Sequence, residues 1–129
     1  MGPMTTILLV DDDSLQASLM LSLLGRRFGE VCRATDAAEA LCLIEQPEFA
    51  RKLGLVICGH QTRGIGGPAF AAEVHLRLPW LPVLVLGRAG EAASDYACEF
   101  VRFLPWPVAS AEMLALAGEM IESGQAKKS

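Results

Sequence analysis

Residues 5–13 read TTILLVDDD. The apolar run from Thr6 to Val10 stops abruptly at three aspartates. A strand with one wet face would alternate polar and apolar residues. This run does not, so it predicts a strand buried on both faces, as in a parallel sheet. Four further strands are predicted outward from it, at Glu30–Ala34, Leu53–Cys58, Pro82–Leu86 and Phe100–Leu104. Helical stretches separate them. Ser14 to Arg27 carries Leu15, Leu19, Leu23 and Leu24 at helical spacing, with Gly29 just beyond, so these leucines are the expected inner stripe. Asp36 is a cap for a helix through Glu45, with Glu39 three residues on in a variant capping box, and Pro47 ends it. Pro68 suits the first turn of a helix to about Leu78, with Phe70, Val74 and Leu78 on one stripe. Glu91 to about Cys98 is a short alanine-rich helix. Ser110 caps the last one, which turns Met113, Leu114, Ala117, Met120 and Ile121 inward.

Strand and helix therefore alternate five times. Each crossover is long enough for a right-handed βαβ unit. The expected fold is a doubly wound α/β domain of three layers, α/β/α, around a five-stranded parallel sheet. It spans residues 5–122, with residues 123–129 a flexible C-terminal tail.

The 129 residues suit one domain. With 52% of them hydrophobic, the chain can fill a core and is not disordered by composition. A net charge of −4 without a basic stripe argues against nucleic acid as a partner, because phosphate contacts need a basic face. Cys32, Cys42, Cys58 and Cys98 are widely spaced in apolar surroundings and form no CxxC pair, which reads as reduced thiols. No apolar run reaches the ~18 residues needed to span a bilayer, so no membrane role is expected. The N-terminus has no charged leader pattern, and a cytoplasmic location follows as an expectation.

In open parallel sheets, function gathers at the carboxyl ends of the strands. Three places matter: Asp11-Asp12-Asp13, Gly59 within CGHQTRG (58–64), and Trp106-Pro107. Taken with ATDAAEAL, LVICGHQTRGIGG, LPVLVLGRAGE and FLPWP, the run ILLVDDD resembles the receiver domain of two-component response regulators. The likeness extends from about Thr5 to Ile121. It implies the flavodoxin-like sheet with strand order 2-1-3-4-5 and a role in phosphorelay signal transduction.

The resemblance also implies a chemistry. An aspartate after the third strand accepts phosphate from a histidine kinase. An acidic pair holds Mg²⁺ with that aspartate and a nearby backbone carbonyl. A Ser or Thr after the fourth strand and a Lys after the fifth bind the phosphoryl group, and an aromatic three residues before the Lys changes rotamer.

In this sequence the acidic pair falls on Asp11 and Asp12. The acceptor position falls on Gly59, the hydroxyl position on Gly87 and the Lys position on Trp106, with Pro107 retained. The aromatic position is Phe103, and the carbonyl is that of Gln61. No aspartate lies between Asp36 and Asp95, so no shift of register restores the acceptor. The reading is a pseudoreceiver. It has no catalytic residue and no phosphoacceptor, and it acts by protein–protein contact without phosphorylation. Any Mg²⁺ at Asp12 and the Gln61 carbonyl would be weak, since Mg²⁺ wants a near-octahedral set of oxygens. Arg88 is the candidate cation replacing the missing Lys.

The expected contact face is built from the fourth helix, fifth strand and fifth helix, at about 91–121. It would meet another signalling protein or a second copy. Trp106 reads as a pocket lid or an anchor on a partner, and its bond to Pro107 as a candidate cis peptide. His60 and Cys58 read as an ordinary loop residue and a buried thiol. Two other readings remain: a receiver with a non-standard acceptor, and a flavodoxin-like ligand-binding module. Three aspartates after the first strand repel a flavin phosphate, which weighs against the second. No nucleophile–base pair supports an enzyme.

Overall fold

The computed structural model describes residues 5–60, 64–88, 100–105 and 109–128. The described residues form five strands and five helices: β1 (Thr6–Val10), α1 (Ser14–Phe28), β2 (Glu30–Ala34), α2 (Ala37–Ile44), α3 (Pro47–Lys52), β3 (Leu53–Gly59), α4 (Gly67–Arg77), β4 (Val83–Gly87), β5 (Val101–Pro105) and α5 (Ser110–Lys128). The strands form one sheet in the order β2-β1-β3-β4-β5, and every pairing is parallel. The expected order is thus the observed one.

The unbroken apolar runs are buried as expected. All five residues of β1 are inaccessible to solvent, and so are the first six of β3. Their side chains alternate between two cores. Leu8, Val10, Val56 and Cys58 face one core with Phe70 and Val74 of α4 and Ala40 and Ile44 of α2. Ile7, Leu9, Leu55 and Ile57 face the other with Met20 and Leu24 of α1 and Met113, Ala117 and Met120 of α5. The β1–β3 register slips between Thr6 and Ile7, leaving Gly54 without a partner. A side chain at Gly54 would run into that of Thr5, whose methyl would have to turn aside.

Three expectations are corrected. Of the α1 stripe, Leu24 is buried, Leu23 is half-buried, and Leu15 and Leu19 are exposed. The buried residues are Ala17, Met20 and Leu24. At about 100° per residue these share one side of the helix, and Leu15 and Leu19 lie on the opposite side. Five leucines in 15 residues offered more than one apolar face, and the sheet took the one that includes the small Ala17 and the adaptable Met20.

Second, Pro47 does more than end a helix. It stands at the first turn of α3, where a missing N–H costs nothing. Third, the expected tail at 123–129 is helical through Lys128. Gly124 is buried, and a Cβ there would lie 2.7 Å from Pro82 Cδ, so this turn packs on the start of β4. The helix expected at 91–98 lies outside the described residues.

Candidate functional site at the carboxyl end of the sheet

Val10 is level with Cys58, Gly59 with Leu86, and Gly87 with Pro105. Asp11 and Gly59 therefore leave the sheet side by side, with Gly87 on the next strand. Asp11 directly follows β1, and Gly59 and Gly87 are the last residues of β3 and β4. Gln61, Trp106 and Pro107 lie outside the described residues, and with them the lid and cis-peptide expectations.

Asp11 is fixed from both sides of its backbone. Its N–H donates to the Ala34 carbonyl at 3.0 Å, and its carbonyl accepts from Arg33 Nε at 3.0 Å. Its carboxylate is half-committed as well, because Asp11 Oδ1 accepts the Asp13 N–H at 2.9 Å. Burial pushes the Asp11 carboxyl above its ordinary value. The Asp13 amide opposes the shift, the charges of Asp13 and Asp12 reinforce it, and the Arg33 guanidinium opposes it.

The third aspartate has another task. Asp13 Oδ1 accepts from the amides of Leu15 and Gln16 at 3.0 and 3.1 Å, which makes Asp13 the N-cap of α1. Of the three carboxylates, the exposed Asp12 is the one that accepts no main-chain amide among the described residues.

Around the end of β3, Cys58 is buried and Gly59 half-buried. The next residue is well anchored. His60 N–H donates to the Leu86 carbonyl at 2.9 Å, and the His60 carbonyl accepts from Gly67 N–H at 2.8 Å. Its ring stands edge-on to Phe103, with centroids 6.2 Å apart and planes at 87°. That T-shaped contact joins the acceptor loop to the aromatic position of β5. Gly64 closes the described part of the loop with φ of +104°, a conformation that favours glycine.

The expected cation, Arg88, lies exposed after β4. Among the described residues, Arg33 is a cation that acts on Asp11. Sequence reasoning passed over Arg33 as one charge in a short strand. The signal was there: it is the only basic residue of β2, one residue from the end of the strand beside β1.

At the third strand end Gly59 has no side-chain oxygen to offer a hard cation, which leaves Asp11 and Asp12 as the carboxylates nearest that place in the sequence. One Asp11 oxygen already accepts an amide, and a guanidinium stands at the same residue. Among the described residues, no group of three or more His, Cys, Asp or Glu side chains is placed to hold a metal ion.

No protein-family model matches the chain, and no curated protein matches it. Solved structures do. A response regulator receiver domain protein from Clostridium thermocellum superposes with a TM-score of 0.85 at 21% identity, covering 95% of this chain and 98% of that one. The signal receiver domain of an HD domain-containing protein from Pseudomonas fluorescens Pf-5 gives 0.86 at 22%, covering 99% and 94%. The fold is that of response regulator receiver domains. NtrX from Brucella abortus contains the same receiver fold within a longer chain: TM-score 0.81 at 26% identity, covering 95% of this chain and 28% of that one. No helix among the described residues is long and apolar enough to cross a membrane.

Proposed function

We propose that this receiver fold serves two-component-type signalling in the cytoplasm as a pseudoreceiver, through protein–protein contact and without aspartyl phosphorylation. The observation that carries the reading is Gly59. It occupies the end of the central strand β3, level with Leu86 and beside Asp11, where a phosphoacceptor carboxylate would have to stand. Glycine has no atom that can accept a phosphoryl group. Gly87 gives the neighbouring strand end no hydroxyl, and Arg33 supplies positive charge at the Asp11 backbone rather than toward a bound phosphate. The domain needs no cofactor and performs no catalytic step in this reading. Its contact face is the one at 91–121, of which β5 and the first half of α5 are described. A signalling partner is the occupant of that face.

The test is direct. The chain is incubated with acetyl phosphate and Mg²⁺ and its intact mass is measured. The expected mass is unchanged. A gain of one phosphoryl group, on His60 or any other residue, overturns the proposal in favour of a non-standard acceptor.

A further inference from the structure

The outward face of α1 is the part of the surface that the pocket does not explain. Leu15 and Leu19 are 73% and 61% exposed. They sit four residues apart on one face of a 15-residue helix that carries no charged side chain before Arg26. Ser18 and Ser22, also exposed, flank them. The face is bounded by opposite charges, Asp12 just before the helix and Arg26 in its last turn, both exposed. Neither makes an ion pair among the described residues.

The spacing has a symmetry. Leu15, Leu19, Ser22 and Arg26 follow one another by steps of four, three and four, the seam spacing of a helix that packs lengthwise on another, and Asp12 stands two residues before the helix begins. In sequence, Leu19 is midway between Asp12 and Arg26. An antiparallel partner with the same sequence would therefore set Asp12 against Arg26 of the partner subunit at one end and repeat the pair at the other. Leu19 would meet its own copy on the two-fold axis. The small Ser22 leaves room for the backbones to approach.

We propose that the outer face of α1 is a self-association surface, on which two copies of this chain pair antiparallel around Leu19, with Asp12 and Arg26 as reciprocal charge contacts. This is an isologous contact, so one patch completes itself and the assembly closes at two. It lies on a different helix from the face at 91–121 and does not rest on the pseudoreceiver reading. A helix of this length spans about 22 Å, less than a standard interface needs, so the dimer is a weak one with dissociation in the micromolar range.

Sedimentation velocity on the full chain, from about 5 to about 200 µM, reads the association. The mass is expected to rise toward twice 13.8 kDa. Leu19→Glu puts two like charges together on the axis and weakens the dimer at least about tenfold, with an unchanged circular dichroism spectrum because the site is exposed. Arg26→Glu weakens it about threefold at low salt, and adding Asp12→Lys in the same chain restores it, because the charges are then exchanged. That rescue keeps the test valid if Leu19→Glu does not fold. Leu76→Glu, exposed on α4, leaves the association unchanged. A chain that stays monomeric throughout, including one that instead binds a different protein on α1, overturns the proposal. So does a dimer indifferent to Leu19→Glu but broken by Arg102→Glu on β5.

Discussion

Arg33, near the end of the edge strand β2, donates from Nε to the backbone carbonyl of Asp11 at 3.0 Å and so ties two neighbouring strand ends together. The bond is partly buried and its donor is charged, which places it above an ordinary exposed contact. Arg33→Ala is expected to lower stability by about 1 kcal/mol, read from the urea midpoint. It also removes a cation that favours the Asp11 carboxylate, so the Asp11 pKa rises further, followed by carbon-detected NMR titration. An Asp11 titration indifferent to the substitution would place the guanidinium elsewhere.

Asp11 itself gives a pH signature. Its folded pKa lies above the ordinary 3.8, chiefly through burial. The folded chain thus holds this proton more tightly than the unfolded chain. The contribution to stability is complete below 3.8 and is lost as pH rises through the folded value. Asp11→Asn keeps the oxygen that accepts the Asp13 amide and removes the titration. The stability of the natural chain relative to this variant is expected to fall as pH rises from about 3 to about 6. A difference independent of pH refutes the assignment.

Adjacent aspartates are expected to behave unequally. Asp13→Ala removes the acceptor for two amides at the start of α1 and costs about 1 kcal/mol. Asp12→Ala touches no cap and is expected to change stability by less than about 0.5 kcal/mol. Thermal unfolding of the two variants side by side checks the ranking; equal losses would contradict it.

Gly124→Ala pits two effects against each other. Alanine is better than glycine inside a helix by about 1 kcal/mol. The new methyl, however, would lie 2.7 Å from Cδ and 2.8 Å from Cγ of the buried Pro82, a ring that cannot rotate away. Overpacking of this kind costs about 1–3 kcal/mol, so the variant is expected to be the less stable one in urea unfolding. A gain in stability would mean that the end of α5 stands off the sheet.

The sheet was legible because its residues do one thing. A run such as Leu53–Cys58 can be satisfied only by burial on both faces, and strand order then followed from the resemblance. Helix α1 was less legible because leucine is abundant on both of its sides, and hydrophobicity alone does not say which side meets the sheet. The end of α5 was misread for the opposite reason: Ser123 and Gly124 look like helix breakers, but Gly124 is required by the proximity of Pro82. In the candidate site, the positions of Asp11, Gly59 and Gly87 could be read from motif spacing. The cap role of Asp13 and the reach of Arg33 could not, because both depend on hydrogen bonds to main-chain atoms, and any residue type supplies those.

The strand order also says something about how the chain is made. Synthesis delivers β1 first, and β2 joins one flank of it. β3 then joins the other, so by residue 59 three strands already stand shoulder to shoulder. β4 and β5 each arrive at an open border on that same side. No late strand has to wedge itself between two that are already bonded, and the chain can assemble in the order in which it leaves the ribosome.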